Sequence, residues 1–221
     1  MINRNASGDN LMNLNEIRRE YKRSALMEND LIADPLLFFR QWFQECISAE
    51  VNEPNAMVLA TVSGSKVSAR VVLLKELDAK GFVFFTNYDS RKGSELALNP
   101  AASLVFFWPE LERQVRVEGI VERISEASSD EYFNSRPYES RVSALISPQS
   151  RVIPSREFLE DLHSDFISNN SEKNINRPAS WGGFVLIPDY IEFWQGRPNR
   201  LHDRIVYLKV GDVWEISRLA P

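Results

Sequence analysis

The chain is poor in the residues that carry metal and disulfide chemistry. It has one cysteine, Cys46, and two histidines, His163 and His202. One cysteine cannot build an internal disulfide framework, and the three residues together leave little for a zinc or iron site. Glycine is sparse, at 9 in 221 residues. Neither G-x-G-x-x-G nor G-x-x-x-x-G-K-[ST] occurs, so phosphate recognition must rest on side chains. A basic excess is missing too: 26 Lys and Arg face 31 Asp and Glu, for a net charge of -5. That argues against bulk nucleic-acid binding and confines any anion site to a local cationic cluster. No apolar run approaches membrane-spanning length, and the polar N-terminus has no signal-peptide core. These absences point to a soluble protein of a reducing compartment, the cytoplasm, with no metal and no nucleic-acid or membrane partner.

What is present is material for a core. The chain is 43% hydrophobic, with 13 Phe, 6 Tyr and 5 Trp, and its length suits one domain. We read residues 1–15 as a disordered polar tail and 16–221 as a single domain that begins with an arm. Arg18, Arg19, Glu20, Tyr21, Lys22 and Arg23 of that arm are either a solvated basic segment or a lid that orders over an anionic ligand. Asp34-Pro35 is a helix start. Leu36, Phe39, Trp42, Phe43, Cys46 and Ile47 follow at helical spacing as the expected inward face. From Ala56 the period becomes two. Met57–Val62, Val67–Leu74, Gly81–Thr86, Ser103–Trp108, Arg113–Ile124, Gly182–Ile187, Tyr190–Gln195, Arg204–Val210 and Val213–Ser217 read as strands. Further helices are expected after Ser90, over Ser125–Asn134, beyond Pro137 and after Ser155, the last with Phe158, Leu159, Leu162 and Phe166 inward. Short turns join most strands. The expected class is therefore mainly β with flanking helices (α+β), its sheet largely antiparallel and closing toward a barrel.

The densest functional signal is IEFWQGRPNRLHDR, residues 191–204. An apolar run turns at Gly196 and Pro198 and releases Arg197, Arg200, His202, Asp203 and Arg204. Guanidinium binds phosphate or carboxylate through paired hydrogen bonds and stacks on rings, and histidine moves protons near neutral pH. A solvated hairpin is the alternative reading. Arg70 and Lys75 place a cation at each end of an otherwise apolar strand. Arg91 and Lys92 fall in the first turn of a helix, where cations oppose the macrodipole. A phosphate at that terminus would make sense of them, as would partial solvation. Gln114 is either an amide reader of a heterocycle or an ordinary surface residue. Tyr132, Arg136 and Ser140 recur every four residues around Pro137, as a phosphate-ester site or as helix surface.

In order along the chain, RREY, ARVVLLK, FFTNYDSRKGSEL, ERQVRVEG, YFNSRP, SPQS, SWGGF, IEFWQGRPNRLHDR and the terminal RLAP resemble the pyridoxine/pyridoxamine 5′-phosphate oxidase family. The resemblance implies a homodimeric FMN-binding split β-barrel with active sites at the subunit interface. It implies oxidation of pyridoxine or pyridoxamine 5′-phosphate to pyridoxal 5′-phosphate, with O2 as acceptor, H2O2 as product and ammonia released from the amine. By the same resemblance, FMN falls to Arg70, Val71, Val72, Leu73, Leu74, Lys75, Phe85, Thr86, Arg91, Lys92, Gln114, Gln149, Ser150, Trp194 and Arg204. Substrate falls to Arg18, Arg19, Glu20, Tyr21, Lys75, Tyr132, Arg136, Ser140, Arg200, Leu201 and His202. Many members carry Tyr-Thr where this chain has Phe85-Thr86. A side-chain hydroxyl contact would be lost there, and a backbone contact would not.

Both ligands are phosphate esters on a flat ring, and burying each phosphate takes about two or three charge-assisted hydrogen bonds. Arg91, Lys92, Arg70 and Ser150 are assigned to the FMN phosphate. Lys75, Tyr132, Arg136 and Ser140 are assigned to the substrate phosphate, with Lys75 between the two ligands. Hydride is expected to pass from the substrate's C4′ carbon to flavin N5. Arg204 would steady the charge that develops, Arg200 would orient the substrate, and His202 would assist its proton transfer. Two other readings share the barrel: a non-catalytic FMN or pyridoxal-phosphate carrier, and a flavin reductase. The pair Arg200 and His202 speaks against the first. Tyr132, Arg136 and Ser140 speak against the second.

Overall fold

In the computed structural model, which describes residues 20–170 and 175–221, Asp34 and Pro35 open the first helix, α1 (Pro35–Ser48). Asp34 Oδ1 accepts the N–H of Leu36 at 2.8 Å, and Pro35 takes a position whose N–H would have no helical partner. The tail over residues 1–15, and Arg18 and Arg19 with it, lie outside the described residues. The buried stripe of α1 is Pro35, Phe38, Phe39, Trp42 and Cys46, an i, i+3, i+4, i+7 pattern. The expected inward face was wrong at one residue. Ile47 is 50% exposed while Phe38 is 1% exposed, because Ile47 lies about 100° around the helix from Cys46. Burial pushes the Cys46 thiol up to about 12, which leaves it protonated and unreactive.

The strands are β1 (Ala56–Ser63), β2 (Lys66–Leu73), β3 (Glu76–Leu77), β4 (Phe82–Asn87), β5 (Ala101–Trp108), β6 (Arg113–Arg123), β7 (Trp181–Gln195), β8 (Asp203–Val210) and β9 (Val213–Arg218). They form one sheet in the order β2-β1-β5-β6-β7-β4-β3, with β8 and β9 added beyond β7. All pairings are antiparallel, and the sheet curls into a half-barrel. The remaining helices are α2 (Arg91–Leu98), α3 (Glu126–Ser135), α4 (Tyr138–Ile146) and α5 (Arg156–Asn169).

Strand β7 joins the halves. Its first part pairs with β4 and its last part with β8, while β6 runs along its other edge. Two separate strands were expected here, broken near Pro188. The chain instead runs on as one 15-residue strand, and the irregularity is a register shift at Glu118/Gly119 opposite Pro188. A bulge accommodates the missing proline N–H without ending the strand.

Helix α1 packs on the concave side. Phe38 meets Phe193 at 4.5 Å between ring centroids, and Phe39 meets Phe82 and Phe106 at 4.9 Å each. A second, smaller cluster of Phe133, Val142, Ile175 and Trp181 anchors α3 and α4 at the far end of β7. Pro137 separates those two helices, as expected. Helix α5 departs from expectation: none of its residues is fully buried, and Phe158 is 37% exposed. Its apolar stripe is met only on the side facing α4 and the second cluster, where Phe166 packs. Among the described residues no helix is long and apolar enough to cross a membrane.

Candidate active site

A cavity of about 480 Å³ opens where β2, β4, α3, α4 and the start of β7 meet. Val71, Val72, Leu73 and Lys75 form one wall, Phe85, Thr86 and Lys92 the floor, and Tyr132, Arg136, Pro137, Ser140, Gln149 and Trp181 the rest. The order of the sheet explains the first wall. Among the described residues β2 pairs only with β1, so the outer N–H and C=O groups of this edge strand face no other described strand.

Three aromatic rings stand in parallel beside that wall. Phe85 lies 3.8 Å from Tyr132 at 18°, and 5.5 Å from Trp181 at 16°. Gly183 makes room: a Cβ there would sit 2.8 Å from Phe85 Cε1. The stack thus uses the ring of Phe85, and a hydroxyl takes no part in it.

The cations of the cavity are unevenly partnered. Lys92 Nζ donates to Gln149 Oε1 at 2.8 Å and to Ser90 Oγ at 3.2 Å, both neutral. Burial, with Arg70 nearby, brings its pKa down to about 8. Thr86 Oγ1 donates to the same Gln149 oxygen at 3.2 Å. Arg136 lies 4.7 Å over the ring of Trp181, and burial lowers its pKa. Its Nη1 is buried without a hydrogen-bond partner. An unpaired buried guanidinium nitrogen is costly, and an anion in the cavity would satisfy it.

Arg70 and Arg91 behave differently. Both bind Glu95, which is 6% exposed. Arg70 Nη2 reaches Glu95 Oε2 at 3.0 Å and Arg91 Nε reaches Oε1 at 2.8 Å, while Thr61 and Ser68 donate to Oε2 at 2.5 and 2.7 Å. Burial works against the charge of Glu95. The hydrogen bonds from Thr61, Ser68, Arg91 and Arg70 overcome it and hold the carboxyl down to about 2. The cation pair at the start of α2 is thus explained in part by the acid one turn on. Ser90 caps this helix through Gly93 N, as expected. Arg70, Leu74, Arg91 and Ser150 do not line the cavity. Leu74 is core, 8% exposed.

A second group gathers at the other end of β7. Trp194 faces Gln114 of β6 and Arg204 of β8 in register. His202 lies 4.6 Å from Trp194, and Tyr21 of the arm packs edge-on against both, at 5.7 Å from Trp194 and 5.8 Å from His202. His202 Nδ1 accepts the N–H of Arg197 at 3.0 Å. Burial and the charge of Arg200 lower its pKa, against the pull of Asp203. The ring is thereby neutral at pH 7 with its proton on Nε2. Asn199 and Arg200 both take left-handed backbone, at φ 57° and 61°, a conformation that non-glycine residues hold at a cost. Arg204 grips the buried Glu192 with Nε at 2.8 Å and Nη2 at 3.1 Å. Leu201 is 68% exposed, and Glu20 pairs with Lys22 at 2.7 Å.

Reading the sequence passed over Trp181, Glu95 and Glu192. Trp181 stood inside the SWGGF motif. Glu95 stood four residues after Arg91, the spacing of a helical ion pair. Glu192 alternates with the core residues Ile191 and Phe193, where a polar outer face is expected, so the strand pattern carried no signal of its burial.

A half-barrel whose aromatic, cationic cavity suits a flat phosphorylated ligand defines the class. Residues 43–162 match the family described as pyridoxamine 5′-phosphate oxidase, and residues 181–221 match the pyridoxine 5′-phosphate oxidase C-terminal dimerisation region. The chain is 53% identical over 210 residues to the pyridoxine/pyridoxamine 5′-phosphate oxidase of Cupriavidus taiwanensis, covering 94% of this chain and 99% of that one. Among solved structures, PhzG from Burkholderia lata, in complex with tetrahydrophenazine-1-carboxylic acid, superposes with a TM-score of 0.84 at 28% identity, covering 90% of this chain and 98% of that one. A pyridoxamine 5′-phosphate oxidase-related, FMN-binding protein of Nostoc punctiforme shares the fold, with a TM-score of 0.71 at 15% identity over 86% of this chain and all of that one. The chain belongs to the pyridoxine/pyridoxamine 5′-phosphate oxidase family and is an oxidoreductase.

Proposed function

We propose that the protein oxidises pyridoxine 5′-phosphate and pyridoxamine 5′-phosphate to pyridoxal 5′-phosphate, with FMN as cofactor and O2 as electron acceptor giving H2O2, and ammonia from the amine. The observation that carries this reading is the cavity's unpaired, buried Arg136 Nη1 beside a stack of three rings, with Lys92 held by neutral partners across the floor. The donor set fits two phosphate esters. Lys92, with Thr86, Gln149 and the start of α2, would hold the FMN phosphate, and the free edge of β2 would meet the flavin's polar rim. Arg91 can add its terminal nitrogens while Glu95 keeps Nε, and Arg70 supports from behind. Arg136, Tyr132, Ser140 and Lys75 would hold the substrate phosphate. Bound FMN supplies the two-electron acceptor for hydride from substrate C4′.

The chain's own work is binding, orientation and proton control. Arg200 orients the substrate. His202, neutral with its proton on Nε2, donates that N–H to the oxygen or nitrogen on C4′ and so holds it for hydride transfer. Tyr21 covers the site against water. We infer that one protomer does not bring these groups to its own cavity. Trp181 lines the cavity and Trp194 neighbours His202, and thirteen residues of β7 at about 3.3 Å each separate them by about 40 Å of strand. A second copy supplying its His202 end to this cavity completes the site, so we place the active sites at the interface of a homodimer.

The test is a visible spectrum of the purified protein, repeated without oxygen after adding pyridoxine 5′-phosphate. A flavin spectrum that bleaches supports cofactor and reaction together. A flavin spectrum unchanged by both the alcohol and the amine substrate removes the oxidase reading.

A further inference from the structure

Glu112 is a buried acid that the proposed chemistry does not use. It ends the tight turn between β5 and β6, is 6% exposed and takes left-handed backbone at φ 56°. Its two polar ends do two jobs. The carboxylate Oε2 accepts two consecutive main-chain N–H groups of the arm, from Lys22 at 2.9 Å and Arg23 at 3.0 Å. The carbonyl accepts the N–H of Gly196 at 2.8 Å and Nε2 of Gln195 at 3.2 Å. One residue therefore ties the arm to the turn that leads into Arg197–Arg204. The side chain of Arg23 reinforces the tie by donating to the carbonyl of Glu110.

The residue just before this tie is Tyr21, which packs on Trp194 and His202. Gly196 lets it approach: a Cβ there would lie 2.7 Å from Tyr21 Cγ. Further along, Leu26 N–H donates to Asp203 Oδ2 at 3.1 Å, so the arm is held on both sides of Arg23. Tyr21, just N-terminal to the tie, is then able to lift from His202, and Glu112 sets where it pivots.

We propose that Glu112 is a positioning residue: its carboxylate clamps the arm at Lys22-Arg23 and so holds Tyr21 against His202 over bound substrate. The proposal rests on the reaction proposed above, and on the clamp as a structural fact that can be tested without it. A charged acceptor of two N–H groups is worth enough that its loss should raise KM for pyridoxamine 5′-phosphate by about tenfold or more.

The experiment compares the full-length FMN-loaded wild type with Glu112→Ala, Glu112→Gln and Tyr21→Ala. Three quantities are read: KM against kcat for pyridoxamine 5′-phosphate, FMN affinity by quenching of flavin fluorescence, and the rate of tryptic cleavage after Arg23 followed by mass. Glu112→Ala should raise KM with FMN affinity within about twofold of wild type, and should speed cleavage after Arg23 by about tenfold. Glu112→Gln, which keeps an acceptor oxygen, should recover most of both. Tyr21→Ala, on the exposed arm, should reproduce the KM change without weakening the clamp. KM and cleavage within twofold of wild type in Glu112→Ala would overturn the proposal. So would a Gln variant as impaired as the Ala variant with FMN affinity lost in both, since that pattern means a general structural role. Should Glu112→Ala fail to fold, Glu112→Gln and Tyr21→Ala decide: unchanged KM in Tyr21→Ala overturns the proposal. A wild type that does not turn over substrate sinks the reaction instead, and the cleavage rates still judge the clamp.

Discussion

Glu95 ties the stability of the barrel to Arg70 and Arg91, two of the cations proposed for the FMN phosphate. Replacing it by Ala leaves Arg70, whose side chain is 22% exposed, without its carboxylate, and leaves the buried Thr61 hydroxyl without its acceptor. Removing one partner of a buried, hydrogen-bonded pair costs about 3–5 kcal/mol. For a chain of this size each kcal/mol moves Tm by about 2–4 °C, so Glu95→Ala should unfold about 10 °C below wild type at pH 7. Arg91 would also lose the contact that fixes its Nε, and FMN affinity should fall by about tenfold. The pH dependence follows from the sign of the pKa change. Glu95 is held from 4.5 down to about 2 in the folded protein. Its contribution is therefore complete above pH 4.5 and fades as pH falls toward 2. Thermal unfolding followed by circular dichroism at pH 7 and near pH 3 checks both points, and the gap between wild type and Glu95→Ala should narrow at the lower pH. A variant that melts within 2–3 °C of wild type at pH 7 would refute the reasoning (the conversion of about 2–4 °C per kcal/mol sets that margin).

Other outcomes can be stated more briefly. Arg200→Ala should keep bound FMN and lose most of its turnover, about 100-fold or more in kcat. Normal turnover in that variant would misplace the reacting carbon. Lys92, brought down to about 8 by burial, should lose its charge as pH rises through 8. FMN titrated into the apoprotein should then bind more weakly at pH 9 than at pH 7, and the Lys92→Met variant should flatten that dependence.

The barrel was legible in the sequence because its signals are local. The period-two runs, the Asp34 and Ser90 caps and the break at Pro137 each report chemistry within a few residues. What the sequence hid is decided by contacts distant along the chain. The single strand through Pro188 depends on its pairing with β6, which continues past a bulge that leaves Asp189 of β7 unpaired. The exposure of α5 depends on how little of the sheet reaches it. The aromatic stack of Phe85, Tyr132 and Trp181 draws on three elements spread over about a hundred residues, and no spacing rule joins them. The same holds for the ties of Glu112 to the arm, which span 89 and 90 residues. Individual site residues were easy to suspect as cations in apolar company. Their division between two ends of one strand could not be read, because register and curvature set it.

That division makes the composite site testable without any structure of a dimer. Arg136 belongs to the cavity end and Arg200 to the His202 end. Arg136→Ala and Arg200→Ala, each as a homodimer, should both be nearly inactive, because every site carries one lesion. If each site takes its cavity from one copy and its His202 end from the other, a mixed dimer carries both lesions in one site and none in the second. Random exchange of subunits makes about half of the dimers mixed, so activity should return to about a quarter of wild type. The assay is turnover of pyridoxamine 5′-phosphate after mixing the two variants under conditions that permit exchange, with each variant alone as control. If both ends served one site within a single chain, every site would still carry a lesion and mixing would restore nothing. Exchange shown by mass-labelled subunits, together with no regain of activity, would therefore rule out the interface site and require β7 to bring its own two ends together.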